Sequence, residues 1–586
     1  MLQATPTSTA DTEPPPCAAG RVRQFRQVLL WPLRLMPVAD NAEHRRKPWK
    51  LLREMGGASP WREVVDEYNG DSGSFHERHY NEFVTFLPYV QQFLYGEGRA
   101  QRQNTGSDDA GTGSPMRVFR RRDIARVRLT SPAQAAPVTL EIVHIDLYFF
   151  YDVDLVLLNV EVAGADLALD QAQDLLYRFG RAYPAGWDAM GRALNCMSNV
   201  EWLDGNGAVL AQSDAQQRDA FLAHVAEHRA PRFAAHWTFL LEPLVSDHSG
   251  RDGALRYRQI EYYRMPLMAY LALDDPRALT RSQFIRLGLV TGAAERRERD
   301  SRGMPAQVDS LDCVDSSAQG LPFAEQHLSD FEARFCYDRF WADAGAAPNT
   351  RYLCSGQSLI VVGDARSEFY GCRDRGVLAQ FRHQHFLLFL IAHFQKASLL
   401  MFSDRLVEAL KGLDVADPMS VRRFKRAIRA SFEGFLRFTH RYWFHEISEQ
   451  AQVRALYHLC AGHLGLDPLY AEVKERIGDM NGYLDADSFR RQANTVVRLT
   501  VVTIFGLLGT VTTGFLGMNL LAEADASLPR RIAYFSVVFV AMTALTIYTM
   551  VKSKRLSDFL DALSDERLSA WEKFKSLGAV WQRERI

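Results

Sequence analysis

The chain has 586 residues, of which 47% are hydrophobic and 24% charged, with 69 basic residues against 70 acidic ones. The length allows roughly three or four domain-sized units, and the composition excludes a mainly disordered, collagen-like or disulfide-scaffold chain. A net charge of −1 offers no electrostatic case for nucleic acid as a partner.

Residues 1–20 are polar and Pro-rich, so disorder is expected there, and they hold no apolar core of a secretory signal. Gln27–Val38 reads as a strand interrupted at Pro32, and Phe83–Tyr95 as aromatic core. Residues 97–115 form a polar, Gly-rich loop. Val138–Val162 carries two β-branched and aromatic runs separated by Tyr151–Asp154, the pattern of a hairpin. Asp166 or Asp170 then offers an N-cap for a helix to about Arg181, closed by Pro184 and Gly186. Strands followed by a helix imply a sheet covered on one face by helices. A second long loop is expected at 293–320, and a further strand at Ser358–Val362.

After Val377 the pattern turns helical. Leu378–Leu410, Val421–Glu446 and Glu449–Leu464 repeat apolar residues at three- and four-residue spacing. Another helix is expected from Asp467 or Pro468 through Val473, Ile477, Leu484 and Phe489, although Gly478 and Gly482 each weaken it by about 1 kcal/mol. Seven scattered cysteines form no CxxC pair, which fits a reducing compartment and gives no zinc-finger spacing.

Nearly all the long uncharged apolar sequence lies between 499 and 551. Leu499–Leu521 and Ile532–Val551 carry no charge. At ~1.5 Å per residue the first is ~34 Å long, enough to cross a ~30 Å hydrocarbon layer. The short link Ala522–Arg531 makes the pair a transmembrane hairpin. Arg490, Arg491, Arg498, Lys552, Lys554 and Arg555 flank it, against Arg530 and Arg531 in the loop. That asymmetry places both termini in the cytoplasm and the chain in the cell (inner) membrane as a multi-pass protein.

A hairpin of this kind can simply anchor a cytoplasmic body. The first span, however, is rich in Thr500, Thr503, Gly506, Gly509, Thr510, Thr512, Thr513, Gly514 and Gly517, which suit helix contacts and water-lined surfaces rather than lipid. Leu499, Thr503, Gly506, Thr510, Gly514 (or Thr513) and Gly517 fall in one stripe at ~100° per residue. The span ends in Gly517-Met518-Asn519.

A C-terminal pair of spans, the first ending in Gly-Met-Asn, with a short outer loop and a basic tail, resembles the CorA family of divalent-metal transporters. Asn494–Asn519 is similar to the family's pore helix, with Leu499-Thr500 and a glycine three residues before Gly517. The likeness covers about residues 490–555. It implies an α+β cytoplasmic domain with its sheet between helical layers, long stalk helices and the two-helix hairpin, assembled as a homopentameric funnel. The divisions would be a disordered 1–20, an α/β domain at 21–376, a helical stalk region at 377–483, the pore helix, loop and second span at 484–555, and a cytoplasmic helix at 556–586.

On that template Gly517, Met518 and Asn519 form the selective outer mouth, with Asn519 meeting the ion through its water shell. Leu499, Thr503, Leu507, Thr510 and Gly514 line the pore. The transported ion is Mg²⁺ or another divalent cation, which can also serve as a regulatory ligand. Partners are further copies of the chain and the bilayer. A ring of neutral amides suits Mg²⁺, which gives up water reluctantly. Leu516 stands where the family has an aromatic residue and Leu508 where it often has proline. Arg530 and Arg531 offset Glu523 and Asp525 in a loop that is acidic in the family, which keeps the Zn²⁺ branch open.

His383/His385, His440/His445 and His458/His463 lack the i, i+4 spacing of a helical metal site and read as structural. Arg422, Arg423, Lys425, Arg426 and Arg429 form a basic helix face, either solvated or turned to a membrane or another subunit. Asp479, Asp485 and Asp487 are candidates for metal sensing by location alone. No P-loop, GxGxxG or GxSxG is present, so no enzyme activity is expected.

Overall fold

The β-branched and aromatic runs become the longest strands. The computed structural model describes residues 20–36, 47–64, 77–96, 115–134, 136–261, 264–291, 324–414, 417–516 and part of 527–548. The expected loop at 97–115 except Pro115, the loop at 293–320, almost all of the N-terminal 20 residues and the tail 556–586 lie outside them. The chain divides into two units, Met1–Glu475 and Arg476–Ile586.

The first unit holds one mixed sheet. In chain order its strands are β1 (Arg21–Leu35), β2 (Trp61–Glu63), β3 (Met116–Arg121), β4 (Arg126–Thr130), β5 (Val138–Phe150), β6 (Val153–Ala168) and β7 (Asn199–Leu203). They continue with β8 (Val209–Gln212), β9 (Val245–Ser246), β10 (Arg256–Gln259), β11 (Leu267–Leu273), β12 (Cys336–Tyr337), β13 (Arg351–Cys354) and β14 (Ser358–Asp364). The spatial order is β12-β13-β14-β11-β1-β6-β5-β4-β7-β8, with β10 beside β1, β9 beside β10, β3 beside β5 and β2 beside β3.

The expected hairpin is β5 and β6, antiparallel and turning at Asp152, whose φ is +63°. β1 runs antiparallel to β6 along almost its whole length, Arg21 opposite Ala168 and Arg34 opposite Leu155. Pro32 does not interrupt it. The outer neighbour of β1 is β11 as far as Leu29 and β10 from Leu33. The Leu30 N–H points to that side, bonding the Pro266 carbonyl. Pro32, two residues on, faces the same side between the two neighbours, where it lacks an N–H that no ladder bond requires.

The helix after the hairpin differs from the expectation at both ends. It runs Leu169–Arg178 with Ala168 as N-cap, not Asp166 or Asp170, and the chain turns away at Gly180, whose φ is +98°. Asp166 belongs to β6, and its carboxylate accepts a 3.0 Å bond from Arg23. An ion pair along the sheet has taken the side chain that the helix would have used.

Strand alternation separates the two faces. Phe25, Leu29, Trp31 and Leu33 join Leu169, Leu176, Phe233 and Trp237 in the main apolar core. Arg26 and Arg34 turn to the opposite face, where Arg34 pairs with Asp404 and Glu408 of the helix Phe386–Lys411. That core helix continues from Val377 through a π-helical turn at Phe381–His385. Among the described residues, Val377–Lys411 is the one helix long and apolar enough to cross a membrane, and most of its apolar window is buried within the protein. Its apolarity therefore serves the core, and unlike Leu499–Leu521 and Ile532–Val551 it carries charges, among them Arg382, Lys396, Asp404 and Arg405. A helix packed against a sheet on one side and helices on the other must be apolar nearly all round. Those outer helices are Pro418–Tyr442 and Ala451–Leu464.

The last long helix spans Leu466–Leu516, 51 residues, as a single element. Gly478 and Gly482 do not break it.

Phe394 is fully buried at the centre of the core helix and stacks on Phe150 at 4.0 Å and Phe93 at 5.7 Å. Phe394→Ala should cost about 3–5 kcal/mol. The expected outcome is a clearly lower thermal midpoint of the purified protein, read by circular dichroism.

Candidate functional site

In the second unit, the stripe anticipated on the first span lies on the helix ending at Leu516. Leu499, Thr503, Leu507, Thr510 and Gly514 are all exposed, Leu499 at 67% and Leu507 at 66%. On an ideal helix they fall within an arc of about 80°. Thr503 Oγ1 donates to the Leu499 carbonyl at 2.8 Å, and Thr510 Oγ1 to the Gly506 carbonyl at 2.9 Å. The hydroxyl proton is thus committed to the helix, while the oxygen keeps acceptor capacity. An added Cβ at Gly506 or Gly514 would meet nothing within 4 Å. Their small size is therefore not explained by packing among the described residues.

Gly517, Met518 and Asn519 lie outside the described residues. The described positions from 528 to 548 are helical. They expose Leu528, Ile532, Val537, Val540 and Tyr548. With Val496, Leu499, Ile504 and Leu507 also exposed, this unit presents apolar surface that requires lipid or protein cover.

The first unit contains a second arrangement that the sequence did not announce. On the face of the sheet under the core helix, β1, β6, β5 and β3 place Arg26, Glu161, Asn159, His144, Asp146 and Arg120 where apolar residues are the norm. Arg26 Nη1 bonds Glu161 Oε1 at 2.7 Å, and both side chains are under 10% exposed. Arg120 grips Asp146 through two bonds of 2.7 and 3.0 Å.

The π-helical turn faces this band. Arg382 reaches Glu161 at 3.4 Å and His144 Nε2 at 3.2 Å. His383 Nδ1 pairs with Glu82 Oε2 at 3.0 Å, Gln384 donates to Thr85 Oγ1 at 2.9 Å, and His385 meets Gln452 at 3.3 Å. Four consecutive side chains therefore tie the turn to the sheet, to the helix Glu77–Thr85 and to the helix Ala451–Leu464. The wider π-helical turn, a feature common at functional positions, presents all four to partners.

Burial governs the charges here. It raises the Asp146 carboxyl above its usual range even against the pull of Arg120. Burial pushes Glu82 the same way, but His383 and the Tyr95 hydroxyl at 2.8 Å outweigh it and hold this carboxyl below its usual value. His144 is pushed down to about 3 by burial and by Arg120 and Arg382. Its Nδ1 and the Asn159 Oδ1 are buried with no hydrogen-bond partner among the described residues.

The remaining candidates separate. His383, His385 and His463 make structural contacts, His463 stacking on Phe335 at 4.4 Å, and His458 pairs with Glu446 at 3.0 Å. Arg422, Arg423, Arg426 and Arg429 are exposed on the helix Pro418–Tyr442. Asp479 is exposed, while the side chains of Asp485 and Asp487 lie outside the described set. Among the described residues, no group of three or more His, Cys, Asp or Glu has its donors gathered around one point. Comparison with known protein families, with curated proteins and with solved structures finds no significant match.

Four histidines, the half-buried His144 and the buried His236, His385 and His393, are each pushed down to about 3, chiefly by burial. They stay neutral when folded but bind protons below ~6.5 when unfolded. Stability is therefore full above pH ~6.5 and falls as pH drops from there toward 3. Between pH 6.5 and 5, where most carboxylates remain ionised, thermal midpoints should decline, and His385→Gln should flatten that decline.

Proposed function

We propose that the chain is one subunit of a CorA-type channel that passes divalent cations down their electrochemical gradient. Mg²⁺ is the first candidate, with Co²⁺, Ni²⁺ or Zn²⁺ as the others. The observation that carries this reading is the uncharged stripe Leu499–Thr503–Leu507–Thr510–Gly514 on one continuous helix, leading directly to Gly517-Met518-Asn519. The apolar exposure of Leu528, Ile532, Val537 and Val540 supports placing both segments in a bilayer as a hairpin.

In a pentamer, five Asn519 amides would receive the hydrated ion at the outer mouth without stripping its waters. The Thr510 and Thr503 oxygens, their protons held by the helix, would accept hydrogen bonds from that water shell. Rings of Leu507 and Leu499 would be narrow and apolar, and such constrictions close by dewetting. The cytoplasmic body would bias the pore between open and closed. A second reading, a membrane-anchored sensor or scaffold that moves no ions, draws on the size of the Met1–Glu475 unit and the tightly bonded π-helical turn within it.

Asn519→Ala separates the two. Purified protein in liposomes should lose flux of Mg²⁺, Co²⁺, Ni²⁺ and Zn²⁺ while keeping its oligomeric mass. Full flux in the variant would refute the pore assignment. Leu507→Asn should do the opposite and raise flux, because a wetted ring no longer closes.

A further inference from the structure

The helix Pro418–Tyr442 has two unlike sides. Phe424, Ile428, Phe435, Phe438 and Tyr442 are buried, and on an ideal helix they point within an arc of about 80°. Arg422, Arg426 and Arg429 are exposed and point the opposite way, within an arc of about 60°.

Seven arginines and lysines stand on this helix with one acidic residue, Glu433. Those of its second half are used within the protein. Arg437 pairs with Asp152 at 2.8 Å and with Glu433 at 3.4 Å, and Arg441 lies over the Tyr151 ring at 5.7 Å. In the first half, Arg423 comes within 3.7 Å of the Asp417 carboxylate, whose oxygens already cap the helix at the Met419 and Ser420 N–H groups. Arg422, Arg426 and Arg429 pair with no carboxylate among the described residues.

The fold gains nothing from that face. Arg422 and Arg426 stand at i, i+4 and Arg426 and Arg429 at i, i+3, spacings at which like charges destabilise a helix. The macrodipole favours cations at the opposite end. Charge that the fold does not use and partly opposes calls for an anion outside the protein.

Apolar surface lies beside these charges. Met419 stands on the arginine face, and Val407 and Leu410 are exposed at the end of the core helix. Ser420 Oγ donates to the Gly412 carbonyl at 2.7 Å and accepts the Asp414 N–H at 2.8 Å, which draws the end of the core helix and the start of Pro418–Tyr442 together. Cations beside exposed apolar side chains match a bilayer boundary, where charged headgroups adjoin hydrocarbon. A nucleic acid or an acidic peptide offers the charge without the hydrocarbon.

We propose that Arg422, Arg426 and Arg429 bind the anionic headgroups of a phospholipid bilayer, with Met419 touching the acyl boundary. Guanidinium groups suit phosphate oxygens because they can bond two at once. The helix itself stays packed on the protein through Phe424 and Ile428, so its outer face alone meets lipid. The attraction weakens with salt, since it acts over a Debye length of ~8 Å at physiological ionic strength. Such a contact would make the placement of the first unit depend on lipid charge. It goes beyond the pore reading and holds whichever ion the chain moves.

The test holds the full chain in nanodiscs of phosphatidylcholine and offers it sedimentable vesicles, either of phosphatidylcholine alone or mixed with phosphatidylglycerol. The mixed vesicles should capture the protein and the neutral ones should not, with capture falling as salt rises. Neutralising three cations together, by Arg422→Gln, Arg426→Gln and Arg429→Gln, should weaken capture about a hundredfold. Arg218→Gln, Arg229→Gln and Arg373→Gln, an equal change in net charge at exposed positions elsewhere, should leave it unchanged. Met419→Ser should weaken capture at every salt concentration and keep the same salt dependence. The lipid assignment would be overturned by equal capture on neutral vesicles, or by full capture of a triple variant whose thermal midpoint is that of the parent. A Met419→Ser protein captured like the parent, or binding of polyaspartate or polyuridylate in place of vesicles, would overturn it too. Retention of the chain in the discs reports the spans, and the lipid preference of capture reports the helix, so the two readings fail separately.

Discussion

The Arg26–Glu161 pair, completed by Arg382 from the opposite layer, is the contact on which the registration of sheet and core helix depends. A sheet covered on both faces must bury side chains on both, and charge in such a place is tolerated only when it is paired and hydrogen-bonded. Glu161 meets this condition through one arginine on its own sheet and one on the helix side. Sliding the core helix along the sheet would separate Arg382 from Glu161, Arg34 from Asp404 and Arg405 from Asp154 together. Apolar contacts alone would tolerate several alignments; the ion pairs specify one.

The same rule acts in the opposite sense on the second unit. From Leu499 to Leu516 the helix has no charge to pair, and Thr500, Thr503 and Thr510 satisfy their own protons on the backbone. Such a surface can border lipid, a neighbouring helix or a thin column of water without an unmet charge. The proposed pore depends on that neutrality: the ion brings the charge, and the wall supplies weak dipoles that do not trap it.

Much of the fold was legible because hydrophobic period and backbone geometry agree there. The β5–β6 hairpin, the strand at Ser358, the helices after Val377 and the helix starting near Asp467 follow their sequence patterns closely. The misses have a common cause in long-range partners. Asp166 has the chemistry of a helix cap, but Arg23, 143 residues away, claims it. His144 and Asp146 belong to a polar band that nothing near them in the chain announces; the residue that bonds His144, Arg382, lies 238 positions downstream. The stretch at Val377–Lys411 could not be told from a membrane span by composition alone, since a central core helix meets the same requirement. From Leu499 to Gly514 the sequence spacing and the structure agree on a helix.

Pro32 shows how a residue's usual reputation can invert. An ordinary amino acid at this buried point of β1 would bring a donor into the seam where β11 gives way to β10, and a donor stranded there costs on the order of 1–3 kcal/mol. The imino acid brings none. The residue best known for ending strands is here what lets a long inner strand change partners along one edge and still run straight through.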